Sequence, residues 1–86
     1  MTTATFDYET IAERAKAALD REFPNLSVAT EPGLGGRVHL KIVSTAFNGL
    51  DHEAKQALAW RVLRDELGPD ALAVGLMLVY GMDELP

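Results

Sequence analysis

Two alternating segments on either side of a glycine-rich break constrain the fold of this chain most strongly. Residues 26–31 and residues 38–44 each place apolar side chains at every second position, which is typical of a strand with one buried face. The break between them, Pro32-Gly33-Leu34-Gly35-Gly36, suits a hairpin loop. The pattern predicts an antiparallel hairpin in which Val38, Leu40 and Ile42 point inward and His39 and Lys41 point outward.

Two amphipathic helices and a third strand complete the pattern. Apolar residues recur at three- and four-residue spacing behind a candidate N-cap at Asp7, and again from residue 51 to residue 67, where Gly68 and Pro69 end the helix. Residues 71–80 are almost wholly apolar, which favours a strand buried on both faces. If Leu72, Val74, Leu76 and Leu78 face the helices, then Ala73, Gly75, Met77 and Val79 face outward.

The order helix, strand, strand, helix, strand predicts an α+β fold. The second helix is long enough for a right-handed crossover, so strands two and three can lie parallel. We expect an αββαβ two-layer sandwich, with a mixed three-stranded sheet and both helices on one face. A chain of 86 residues without cysteine has room for a single core and no disulfide. We therefore expect a flexible leader at residues 1–6 and a single domain at residues 7–86.

Charge is unevenly distributed along the chain, whose net charge is -5. Residues 65–86 carry five acidic residues and no basic one, whereas residues 32–64 carry five basic and two acidic residues. The five basic residues, Arg37, Lys41, Lys55, Arg61 and Arg64, are either a solvated surface or a patch for nucleic acid or an acidic partner. The lack of a signal peptide, an apolar span and cysteine predicts a cytoplasmic protein that does not contact membranes.

Few residues stand in a pattern that carries chemistry. Neither histidine lies in a metal-binding motif, and His39, beside the glycine-rich loop, is the one candidate metal ligand. The loop residues Gly33, Leu34, Gly35 and Gly36 indicate a turn or a binding loop, because a phosphate cradle would run from a strand into a helix. No residue pattern indicates acid–base or nucleophilic catalysis, so we do not expect an enzyme.

Surplus apolar residues indicate a protein interface. The second helix has one apolar stripe for the sheet and a second stripe that includes Leu58 and Val62. The third strand would add Met77 on the outward side of the sheet. We expect these three residues to contact a protein partner or a second copy of the chain, the alternative being simple partial exposure.

Two motifs resemble the BolA family of stress-response regulators. Lys41-Ile42-Val43-Ser44-x-x-Phe47-x-Gly49 is similar to the second strand of that family and the S-x-x-F-x-G turn after it, and Leu63-x-x-Glu66-Leu67 is similar to the end of its next helix. The resemblance covers roughly residues 8–80 and implies the KH-like αββαβ fold. It also implies a regulatory protein that contacts a monothiol glutaredoxin in iron–sulfur homeostasis, or a transcriptional regulator that binds DNA.

The family's histidines and loop cysteine, which share an iron–sulfur cluster with glutaredoxins, have no counterparts here. Gln56 occupies the position of the histidine in helix two, Leu72 that of the histidine at the start of strand three, and Leu34 or a neighbour that of the loop cysteine. We therefore expect no cofactor bound by this chain alone; the alternative is an iron–sulfur cluster shared with a glutaredoxin, for which His39 is the one remaining candidate ligand. The remaining hypotheses are an adaptor for a glutaredoxin without a full bridging cluster, a DNA-binding regulator and a small homodimer.

Overall fold

A computed structural model describes residues 6–85 of the chain. Its helices and strands are α1 Tyr8–Glu22, β1 Ser27–Pro32, β2 Val38–Ser44, α2 His52–Leu67 and β3 Val74–Gly81. The strands form one sheet in the order β1-β2-β3, in which β1 and β2 are antiparallel and β2 and β3 are parallel. The predicted α+β fold with a mixed three-stranded sheet is confirmed. Residues 1–5 of the predicted leader lie outside the described residues.

Both helices pack on one face of the sheet because each presents an apolar stripe to a common core. Asp7 caps α1 by accepting a hydrogen bond from the N–H of Thr10, and Asp51 caps α2 by accepting one from the N–H of Ala54 at 2.8 Å. The core joins residues from both helices and the inward positions of the sheet, among them Ala15, Leu19, Val38, Leu40, Ile42, Ala59 and Leu63. Within residues 6–85, no helix is long and apolar enough to cross a membrane.

The S-x-x-F-x-G segment is a turn that anchors the carboxyl end of β2. The hydroxyl of Ser44 donates to the carbonyl of Pro24 at 2.6 Å and accepts from the N–H of Ala46 at 3.1 Å. Phe47 is fully buried, and its ring centroid lies 4.8 Å from that of Phe23. The motif therefore ties the end of α1 to the start of the segment that leads into α2.

The third strand differs from its prediction in both its start and its faces. Residues 68–73 form a 3-10 turn, so the strand begins at Val74. Val38 pairs with Val74 but His39 pairs with Leu76, which leaves Gly75 as the extra residue of a bulge. One extra residue reverses the two faces of a strand. Met77 and Val79 are therefore buried against the helices, whereas Leu76 and Leu78, expected inside, are 48% and 40% exposed.

The predicted interface of Leu58, Val62 and Met77 is wrong for two of its three residues. Val62 is buried, because α1 packs along α2 and covers that side of it. Leu58 is half-buried and packs against the same core. Met77 is buried through the bulge in β3. The surplus apolar surface is therefore elsewhere, on the side of the sheet that faces away from the helices.

Replacing the buried hydroxyl of Ser44 should destabilise the chain measurably. Ser44→Ala leaves the carbonyl of Pro24 and the N–H of Ala46 without their partner, at an expected cost of about 1–3 kcal/mol. The readout is a lower urea midpoint with an unchanged m value. Ser27→Ala, at the exposed start of β1, is the control and should change stability by no more than about 0.5 kcal/mol. Equal midpoints for the two variants would contradict this role of Ser44.

Candidate functional site

Within residues 6–85, no element covers the side of the sheet opposite the helices. We call this side the outer face; it comprises Ser27, Ala29 and Glu31 of β1, His39, Lys41 and Val43 of β2, and Leu76, Leu78 and Tyr80 of β3. The register aligns them in three rows, Glu31-His39-Leu76, Ala29-Lys41-Leu78 and Ser27-Val43-Tyr80. A shallow depression of about 190 Å³ lies over the first two rows.

The glycine-rich loop and the turn before β3 lie at the same edge of the sheet, because the parallel strands β2 and β3 begin side by side at Val38 and Val74. We call this region the glycine corner; it comprises the loop Gly33 to Gly36, His39, Leu72 and Gly75. The loop is closed by a hydrogen bond from the N–H of Gly33 to the carbonyl of Arg37 at 2.8 Å. Gly35 and Gly36 both have positive φ, of 69° and 79°, which side chains disfavour. Phe6 also holds the loop, because its N–H donates to the carbonyl of Gly35 at 2.9 Å.

His39 points outward, as predicted, and its ring lies between two glycines. A Cβ atom placed on Gly33 would come within 2.7 Å of Nε2 of His39, and one placed on Gly75 would come within 3.5 Å of the ring. The absence of a side chain at Gly33 therefore leaves the space that the imidazole occupies. Glu31 is the cross-strand neighbour of His39 on β1.

The structure does not bring the five basic candidates together. Arg37 and Lys41 lie on the strand side, with Nζ of Lys41 at 5.7 Å from the ring centroid of Tyr80. Arg61 and Arg64 are exposed on α2, in the helical layer, and Arg64 lies over the ring of Trp60. Lys55 is buried and belongs to neither group. The predicted mid-chain basic segment thus divides into two separate pairs and one buried lysine.

The charge of Lys55 is neutralised by the turn that follows β3. Its Nζ donates to Oε1 of Glu84, which also accepts from the N–H of Gly81 at 2.8 Å. The hydrogen bond from Gly81 and then that from Lys55 hold the pKa of Glu84 below its ordinary value of 4.5. Asp83 accepts from the N–H of Gly49 at 2.9 Å. These contacts form a clasp between the chain's last turn and the S-x-x-F-x-G segment.

Comparison with solved structures supports the family resemblance at the level of the fold. BolA1 from Arabidopsis thaliana superposes on this chain with a TM-score of 0.68 and 21% sequence identity, over 88% of this chain and 96% of that one. The chain has a BolA-like fold. No family model matches the sequence, and no curated protein matches it either. The αββαβ order of the structure is therefore the order that the BolA resemblance implies.

The residues at the glycine corner lack the ligands that this chain would have to contribute to a bridging iron–sulfur cluster. Leu34 is 91% exposed and Leu72 is 77% exposed, and hydrocarbon side chains cannot ligate iron. The chain has no cysteine, and residues 6–85 contain no group of three or more histidine, aspartate or glutamate side chains that could hold a metal ion. His39 is left as the single imidazole donor of the glycine corner.

Gln56, at the helix-two position where the BolA resemblance implies a histidine, has an internal role. Its Nε2 donates to the carbonyl of Met77 at 2.9 Å, and its Oε1 accepts from Nε1 of Trp60 at 3.1 Å. The side chain therefore links α2 to the edge strand β3 and satisfies the indole N–H of Trp60. The sequence alone could not show this link, because Met77 is remote along the chain.

Removing the charge of Glu84 should destabilise the chain in a pH-dependent manner. Folding lowers the pKa of this carboxyl, so its contribution is present above the unfolded pKa near 4.5 and is lost as the pH falls through the folded pKa. Glu84→Gln should lower the urea midpoint at about pH 7, and this deficit should shrink at an acidic pH, as the carboxyl of the wild type becomes protonated. Asp65→Asn, at an exposed site on α2, is the control. A deficit in Glu84→Gln that is equal at both pH values would contradict the clasp.

A methyl group at Gly33 should displace the ring of His39. In Gly33→Ala the new Cβ would lie 2.7 Å from Nε2, whereas in Gly75→Ala the nearest ring atoms lie at 3.5 Å, an ordinary contact. We expect a larger change in the His39 ring resonances, measured by NMR, in Gly33→Ala than in Gly75→Ala. The urea midpoint of Gly33→Ala should change little, because the ring can rotate away. Equal ring shifts in the two variants would contradict the placement of His39.

Proposed function

We propose that this chain is a non-enzymatic, cytosolic BolA-like protein that acts through protein contacts, with a monothiol glutaredoxin as its partner. The observation that carries the proposal is the exposure of Leu34 and Leu72, which precede β2 and β3 at the edge of the sheet where these two strands begin. The BolA resemblance implies cluster ligands in the loop and at the start of the third strand. Apolar contact at these positions takes the place of cluster ligation, so we expect the complex to form without a cluster that this chain bridges.

The exposed leucines at the glycine corner supply part of the required binding energy. Burying one leucine side chain contributes about 1.5–3 kcal/mol. A micromolar complex corresponds to about 8 kcal/mol before the costs of association. Leu34 and Leu72 therefore form the centre of the proposed interface, and the neighbouring loop backbone and Arg37 form its rim.

The carboxylates of the chain support a non-enzymatic role. Asp70 pairs with Arg14 at 3.2 Å and Glu66 with Arg21 at 3.7 Å, both on the surface of the helical layer. Glu84 has a lowered pKa but is held by the clasp. Solvated ion pairs and a structural carboxylate are not the tuned, converging groups that acid–base catalysis uses.

The proposal is tested by mixing the full chain with a monothiol glutaredoxin under anaerobic conditions, with and without its iron–sulfur cluster. We expect a complex with both forms, and we expect Leu34→Asp and Leu72→Asp each to weaken it by about tenfold or more, since tenfold corresponds to 1.4 kcal/mol. Leu85→Asp is the control, because Leu85 is also exposed but lies in the segment after β3. His39→Ala should leave the absorption spectrum of the cluster unchanged.

Two results would contradict the proposal in different ways. The absence of a complex with either form of glutaredoxin would exclude this partner. A spectrum that changes in His39→Ala would show that the chain does ligate the cluster, and would exclude binding by apolar contact alone.

A further inference from the structure

We propose that the outer face binds an amphipathic helix of a partner protein, one that carries leucine-like side chains on one side and carboxylates beside them. The proposal rests on the middle of the outer face, around Lys41 and Leu78, and not on Leu34 or Leu72. This proposal is therefore independent of the proposed contact with a glutaredoxin.

The geometry of the outer face suits one helix. Three strands about 4.8 Å apart span roughly 10 Å between the outermost backbones, close to the diameter of about 10–12 Å of a helix with its side chains. Leu76 and Leu78 lie next to each other on this face and are 48% and 40% exposed. Together with Ala29 they line the shallow depression over the first two rows. A partner helix that buries these side chains would make a third layer on the sheet.

The charges of the outer face specify an acidic partner. All 13 acidic residues of the chain lie within the described residues, and Glu31 is the only one on the outer face. Lys41 lies at the centre of the three rows, and Arg37 reaches the same side, with its Cδ near Gly75. The net charge of -5 repels an acidic helix from the rest of the molecule. The outer face is therefore the surface that an acidic helix approaches most favourably.

Two other occupants fit the outer face less well. The affinity of a protein for nucleic acid comes largely from contacts between several basic residues and phosphates, whereas this face offers two basic residues around an apolar centre. A second copy, packed face to face about a two-fold axis, would bring Lys41 of one copy towards Lys41 of the other. An acidic helix can contact the leucines and pair with Lys41. It needs no further basic residues and brings no second lysine close to Lys41.

Two fluorescent peptides of about 18 residues test this proposal. Both are amphipathic helices with the same leucine stripe, one flanked by glutamates and one by lysines. We expect the full chain to bind the glutamate peptide about tenfold or more tightly than the lysine peptide in fluorescence anisotropy. Lys41→Glu should reverse this preference, and Leu78→Ser should weaken the binding of both peptides. Lys16→Glu, an exposed charge reversal on α1, is the matched control and should leave the preference unchanged.

Several results would overturn the acidic-helix proposal. These are equal binding of the two peptides, an unchanged preference in Lys41→Glu, tighter binding of a single-stranded DNA of about 20 nucleotides, and a sedimenting dimer that Leu78→Ser dissociates. Circular dichroism of each variant confirms that it is folded. Leu78→Ser should leave the glutaredoxin complex intact, so that failure of one proposal does not imply failure of the other.

Discussion

The extra residue at Gly75 sets which side chains of β3 meet the helices and which meet solvent. Without it, Leu76 and Leu78 would enter the core, and Met77 and Val79 would lie outside. With it, Met77 and Val79 of β3 lie in the core, on the side of the sheet that packs against the helices. Gln56 reinforces the same register by bonding to the carbonyl of Met77. The apolar outer face and the open space beside the ring of His39 at Gly75 both depend on this one bulge.

Placing both helices on one side of a three-stranded sheet also has a functional consequence. The helical layer buries the alanine-rich stripe of α1 and the apolar side of α2 against the sheet. Within residues 6–85, the opposite side has no cover. The chain's acidic residues lie on the helices, caps and turns, with Glu31 as the exception. An uncovered face with few carboxylates is where we locate the acidic-helix contact.

The parts of the fold that a local pattern specifies could be predicted from the sequence. The hairpin, the bounds of β2, the cap at Asp7 and the element order follow from alternation, helical spacing and a capping side chain. The faces of β3 could not be predicted, because a run that is apolar at almost every position looks the same in either register. The burial of Lys55 depends on Glu84, which is remote in the sequence but adjacent in the fold. The burial of Val62 could not be predicted either, because it depends on the packing of α1 on α2.

We expect protein contacts on the sheet side of this BolA-like fold, with the glycine corner as the surface that contacts a glutaredoxin. Titration of the isotope-labelled chain with a monothiol glutaredoxin, followed by backbone amide NMR, tests this most directly. We expect the largest shifts in residues 33–39 and 72–76, with α1 unchanged. Shifts centred on the outward sides of α1 and α2, with the loop and β3 unaffected, would contradict it.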